Sequence, residues 1–165
     1  MIQFELAGKS FLDLFAGTGA VGLEALSRGA ASAVFVENAP RAAAALERNI
    51  KELACANARV VRRDVFAYLA GAKTQAGKAI GASDFIFADP PYDLLDTRPF
   101  TEWMGLLPAA TGTVFILEMR ASAADLPAIP APWELVRDRT YGQSRILLFR
   151  NKPVASDCQD AASVL

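Results

Sequence analysis

Four consecutive residues, Asp89-Pro90-Pro91-Tyr92, close the apolar run Phe85-Ile86-Phe87-Ala88. Proline has no N–H to give to a sheet ladder, so two in succession mark the point where the chain leaves a sheet. Backbone carbonyls are then left free beside a carboxylate and a flat ring. Such acceptors suit the two N–H bonds of an amino group on a planar base, with the Tyr92 ring as a platform for that base. The same residues also fit a plain Pro-rich turn with Tyr92 as surface cover.

Upstream, Ser10 to Phe15 reads as a short buried strand that runs directly into Ala16-Gly17-Thr18-Gly19-Ala20-Val21-Gly22. Glycines at 17, 19 and 22 satisfy G-x-G-x-x-G, and Val21 to Arg28 reads as a helix. That pattern alone is shared by many nucleotide-binding folds. It allows a tight turn and the close approach of a ligand to backbone N–H groups. The next strand, Ser32 to Val36, ends in Glu37, where a carboxylate can accept the hydroxyls of a ribose or simply sit in solvent. Asp13 lies at the end of the first strand, where its charge would repel a pyrophosphate. It suits instead a ligand carrying an ammonium and a sulfonium, which is S-adenosylmethionine. Asp64 follows the strand Ala58 to Arg62 and is placed to meet an adenine edge. Acids at the ends of successive strands converge on one rim of an open α/β sheet.

The elements needed to hold this rim alternate along the chain as in a doubly wound parallel sheet. Pro40 to Leu53 is the clearest helix, with proline in its first turn and Leu46, Ile50 and Leu53 on one face. Phe66 to Leu69 reads as a short helix and Gly71 to Ser83 as a loop. Asp84 to Ala88 and Thr113 to Glu118 read as buried strands. Ala121 to Pro132 is Ala/Pro-rich connection, and Trp133 to Asp138 pairs with Arg145 to Phe149 around a Tyr141-Gly142 turn. Residues 151–165 lack periodicity and are expected to fray, which leaves residues 1–150 as the domain.

Composition narrows the chemistry. The chain has 165 residues, 53% of them hydrophobic, enough for one core covered on both faces of a sheet. It contains no histidine, which excludes Ser-His and Cys-His nucleophilic schemes and His-ligated metals. Cys55 and Cys158 lack metal-ligand spacing and read as free thiols, so no metal is expected. No apolar run reaches the roughly 18 residues of a membrane helix, and the start lacks a signal-peptide pattern, so the expected place is the cytoplasm. Net charge is −1, which offers no bulk attraction to nucleic acid. Local clusters remain at Arg59, Arg62 and Arg63, and at Arg137, Arg139, Arg145 and Arg150.

The string from Asp13 through Gly17-Thr18-Gly19 to Arg28-Gly29-Ala30 resembles the RsmD family of bacterial methyltransferases. The resemblance continues through Glu37, Asn57 to Val61, Asp64 and Asp89-Pro90-Pro91-Tyr92 to Tyr141-Gly142-Gln143-Ser144. It implies a Rossmann-like class I methyltransferase fold: a mostly parallel seven-stranded sheet with helices on both faces. It implies methylation of the exocyclic N2 of a guanine in small-subunit ribosomal RNA, with S-adenosyl-L-methionine as donor and no membrane partner. By that likeness Asp89, Pro90, Pro91 and Tyr92 form the catalytic site. Asp13, Phe15, Gly17, Gly19, Glu37, Asn38, Asp64 and Val65 hold the cofactor. The family carries a longer basic segment before the first strand, whereas Met1 to Gly8 precedes it here, so a truncated cofactor-binding core without activity is an alternative. Methylation of another nucleic acid, such as adenine-N6 in DNA, is another, because the Asp-Pro-Pro-Tyr motif is shared. A nicotinamide-dependent dehydrogenase is disfavoured by Asp13.

Overall fold

The computed structural model describes residues 5–74, 82–91, 94, 100–122 and 128–153. In chain order its elements are β1 (Ser10–Leu14), α1 (Ala20–Ser27), β2 (Ser32–Val36), α2 (Pro40–Glu52), β3 (Ala58–Val61) and α3 (Val65–Thr74). They continue with β4 (Phe85–Ala88), α4 (Phe100–Leu106), β5 (Val114–Arg120), β6 (Trp133–Tyr141) and β7 (Ser144–Asn151). The strands form one seven-stranded sheet in the order β3-β2-β1-β4-β5-β7-β6. The first five are parallel neighbours, and β7 runs antiparallel to both β5 and β6. The strand order reverses between β1 and β4, the place where open α/β sheets bind ligands.

Parallel strands bury both faces, which explains their near-continuous apolar runs. Side chains alternate between two cores. Leu12, Leu14, Ile86, Ala88, Phe115 and Leu117 pack with Val65, Leu69, Trp103 and Met104 on the face covered by α3 and α4. Phe11, Phe35, Phe85, Phe87 and Ile116 pack with Leu23, Ala25 and Leu46 on the other face, where α1 and α2 lie. The α2 helix begins at Pro40, whose missing N–H costs nothing in a first turn.

Two elements differ from expectation. The short helix expected from Phe66 to Leu69 runs from Val65 to Thr74 and so absorbs the start of the expected loop; Tyr68 and Leu69 are buried and tie it to the sheet. The sequence reading assigns nothing between Tyr92 and Thr113, yet α4 lies there. With only seven residues it is too short to show helical periodicity, and tertiary burial of Trp103 and Met104 holds it. The expected C-terminal tail lies outside the described residues from residue 154 onward, and β7 extends to Asn151.

Candidate active site

Strand register sets the site. Val36 pairs with Leu14, Leu14 with Ala88, and Ala88 with Leu117. One residue further along each strand, Glu37, Phe15, Asp89 and Glu118 therefore lie in one row along the carboxyl edge. Three of these four are acids.

Since Leu12 and Leu14 face α3 and α4, Asp13 faces the opposite side, under the glycine loop. Its side chain is almost sealed, at 2% exposure, and Oδ2 accepts the N–H of Gly22 at 2.9 Å. Glycine is required there because a Cβ would fall into the Phe35 ring and lie 3.0 Å from Oδ2. The Asp13 pKa is raised to about 7. Burial is the main cause, the charges of Asp89 and Glu37 add to it, and the Gly22 N–H opposes it.

The loop itself begins at Phe15, whose φ of 62° puts a non-glycine residue in the left-handed region. Packing holds that strained turn: the Phe15 ring stacks on Trp103 of α4, with centroids 5.8 Å apart. Gly17 and Gly19 follow with φ of 57° and 87°, and a Cβ on Gly19 would strike Leu46 of α2. Glu37 reaches across from β2, Oε2 accepting the Gly17 N–H at 2.8 Å and Oε1 that of Ala39 at 2.6 Å. Asn49 of α2 donates from Nδ2 to the Thr18 carbonyl at 2.9 Å. The loop is thus clamped by Asp13, Glu37 and Asn49.

Asn38 is exposed beside this clamp. Asp64 is exposed past β3, with Oδ1 accepting the Ala67 N–H at 2.9 Å and so capping α3. The Val65 side chain is buried in the core, so toward a ligand it offers backbone only.

On the far side of the switch point, Asp89 is exposed and Pro90 buried. Partial enclosure raises the Asp89 pKa, and the charge of Glu118 adds to the rise. The expectation that the carbonyls here are free needs one correction. The Pro91 carbonyl accepts the Leu94 N–H at 2.9 Å and closes a turn, whereas no described residue donates to the Pro90 carbonyl. Tyr92 lies outside the described residues.

Glu118 and Asn49 escaped the sequence reading. Glu118 is an acid set within an apolar strand, as Asp13 is, and that was its signal; Oε1 accepts the Ser144 hydroxyl at 2.6 Å. Nothing in the helix marks Asn49. Among the described residues no Lys or Arg forms an ion pair with Asp13, Glu37, Asp89 or Glu118. This edge of the sheet is anionic with no compensating cation among the described residues, a chemistry complementary to a cationic ligand and to polarised N–H bonds.

Comparison with known proteins agrees with this geometry. The model of the family described as Conserved hypothetical protein 95 matches residues 1–150. A curated relative, Ribosomal RNA small subunit methyltransferase D of Escherichia coli K12, is 35% identical over 144 residues, covering 86% of this chain and 68% of its own. The solved structure of YhhF from Escherichia coli superposes with a TM-score of 0.72 at 31% identity, over 89% of this chain and 77% of that one. A hypothetical protein of Thermus thermophilus, TTHA0928, gives 0.68 at 35% identity, over 84% and 73%.

Proposed function

We infer, for a chain that belongs to the Conserved hypothetical protein 95 family (the RsmD family), an S-adenosyl-L-methionine-dependent methyltransferase acting on ribosomal RNA. Its target is the exocyclic N2 of a guanine in the small ribosomal subunit. The observation that carries this reading is the group of carboxylates at the switch point of the sheet, none in an ion pair among the described residues, running from the clamped glycine loop to Asp89-Pro90.

The residues fit the cofactor. S-adenosylmethionine, when bound, supplies an electrophilic methyl on a sulfonium. Glu37 would take the ribose hydroxyls beside Gly17, and Asp13 would face the positive charge from beneath the loop. Asp64 with the Val65 backbone would meet the adenine, and Phe15, Gly19 and Asn38 would line the site. An ammonium or sulfonium near Asp13 would favour its ionised form, against the burial and the lesser repulsion from Asp89 and Glu37 that raise its pKa.

Asp89 and the Pro90 carbonyl act on the substrate. A guanine amino group is a poor nucleophile because its lone pair is delocalised into the ring. By accepting its two hydrogens, Asp89 and Pro90 turn that lone pair toward the methyl and stabilise the positive charge that grows on nitrogen. Positioning and electrostatics supply the acceleration, with no covalent intermediate on the protein. Tyr92 completes the motif as the stacking platform for the base. A base in paired RNA must first leave its stack.

An enzyme with this substrate would work in the cytoplasm, where ribosomes are assembled; among the described residues no helix is long and apolar enough to cross a membrane. The test is transfer of labelled methyl to unmodified small subunits, naked rRNA and duplex DNA, followed by digestion to nucleosides. Label in N2-methylguanosine is expected. Label in N6-methyladenosine or its deoxy form, or none on any substrate with cofactor binding intact, would sink the reading.

A further inference from the structure

Each of the two arginine clusters of the sequence has one member neutralised, which leaves Arg59 and Arg63 at the β3 edge and Arg137, Arg139 and Arg150 on the hairpin without an ion pair among the described residues. Arg62 is held by both oxygens of Glu47, at 2.9 and 2.6 Å, and Arg145 by both oxygens of Asp138, at 3.0 and 2.6 Å. Arg137, Arg139 and Arg150 are exposed and make no ion pair among the described residues. Among the described residues Arg139 donates to the Asp138 carbonyl alone, at 3.1 Å, and its charge adds weakly to the hold of Arg145 on the Asp138 carboxylate.

These residues share a face. Arg137, Arg139 and Tyr141 of β6 pair with Leu148, Ile146 and Ser144 of β7, and Leu148 and Ile146 pack on the α1 side of the sheet. A bulge between Leu135 and Arg137 sets this phase: Leu135 pairs with Phe149 and joins the opposite core, and the extra residue Val136 turns the arginines over. Tyr141 is 52% exposed at the hairpin end. Ile146 pairs with both Glu118 and Arg139, so Arg139 continues the row that contains Asp89. Three strand spacings separate Arg139 from Asp89, about 14 Å. The opposite end of the row is anionic, and this end is cationic with an exposed aromatic.

We propose that the β6–β7 face bearing Arg137, Arg139 and Tyr141 is the docking surface for the RNA strand flanking the target base. The arginines hold its phosphates, and Tyr141 stacks a neighbouring base. The inference rests on the rRNA methyltransferase reading and names the surface by which that site takes its substrate. An overall charge of −1 gives no bulk attraction, so affinity must come from local cations without an ion pair; of those, Arg139 is the one that lies in register with the row containing Asp89, with Arg137 beside it on the same face.

The test measures binding of naked small-subunit rRNA across a salt series by the full chain, by Arg137→Ala/Arg139→Ala, by Arg137→Lys/Arg139→Lys and by Arg59→Ala/Arg63→Ala. The first double variant should raise the RNA Kd roughly tenfold and lower the salt slope by about 0.7 per arginine removed. The lysine pair should restore most of both, and Tyr141→Ala should weaken binding with little change of slope. Affinity for S-adenosylmethionine should stay unchanged in all of them, which also verifies folding. An unchanged Kd and slope in Arg137→Ala/Arg139→Ala, with loss in Arg59→Ala/Arg63→Ala, would move the interface to the β3 edge and overturn the proposal. Loss of methylation on assembled subunits with naked-RNA binding intact would make the occupant a ribosomal protein, and would overturn it also. Salt-dependent RNA binding through these arginines by a chain that methylates no RNA would uphold the surface and sink the enzymatic reading alone.

Discussion

Replacing Asp13 by asparagine should stabilise the ligand-free protein above neutral pH and at the same time weaken its hold on S-adenosylmethionine. The carboxyl titrates at about 7 in the fold against an ordinary value of 3.8. The folded state therefore binds the proton more tightly than the unfolded chain, and stability falls as pH rises from 3.8 towards 7. Fully ionised, the buried group costs on the order of 4 kcal/mol. An asparagine oxygen can still accept the Gly22 N–H at the position of Oδ2. Its buried amide N–H groups would lose hydrogen bonds to water, at about 1–3 kcal/mol. The net gain at pH 8 should then be about 1–3 kcal/mol, each worth roughly 2–4 °C in a domain of this size. Urea melts of both proteins from pH 4 to 8 measure it. The difference between them should grow across that window and level off above neutrality. Asp84 and Asp138, whose pKa values are lowered by bonds to Ser10 and Arg145, lose stability in acid in both proteins and so cancel. Calorimetry in buffers of different ionisation enthalpy gives a second reading: wild type should release a proton on binding the cofactor at pH 7, and Asp13→Asn should not. A stability difference that is flat with pH would refute the reasoning, because no buried carboxyl of raised pKa would then exist.

Asp89→Ala should lose most of the turnover while keeping cofactor affinity, measured as kcat beside a direct binding titration; a large loss of cofactor affinity would make Asp89 a cofactor ligand. Because Asp89 must be ionised to accept, and its pKa is raised, activity should fall in acid at a pH above the usual carboxylate range. Glu118→Gln should move that midpoint down, and a midpoint that stays put would remove Glu118 from the site. Gly22→Ala should cost about 1–3 kcal/mol of stability by driving a methyl into Phe35 and toward Asp13, read as a drop in Tm. An unchanged Tm would mean that the helix can shift away from the sheet.

The residues that were legible in the sequence are those whose chemistry is local. The glycines at 17, 19 and 22 announce a turn because their backbone needs are their own. Glu37 and Asp89 announce a rim because each ends an apolar run, and Asp13 because it interrupts one near its end. The α4 helix was hidden because two turns carry no period, and Trp103 owes its burial to rings brought together from the glycine loop, α3 and β5. Asn49 and Glu118 were hidden because their partners, Thr18 and Ser144, lie far along the chain. The arginines were visible as clusters, but their meaning was not. Glu47 and Asp138 neutralise Arg62 and Arg145, and one bulge decides which face Arg137 and Arg139 take.

The stacking of Phe15 on Trp103 gives the protein an optical reporter of its own. Of its two tryptophans, Trp103 touches the first residue of the ligand loop, while Trp133 packs on Phe115 and donates from Nε1 to the Met104 carbonyl at 3.3 Å. Any ligand that eases the left-handed turn at Phe15 shifts the ring against the indole and changes its emission without a label. A Trp133→Phe protein would report from Trp103 alone, so occupancy of the loop could be followed in a stopped-flow cell, and the rate of cofactor exchange timed separately from methyl transfer.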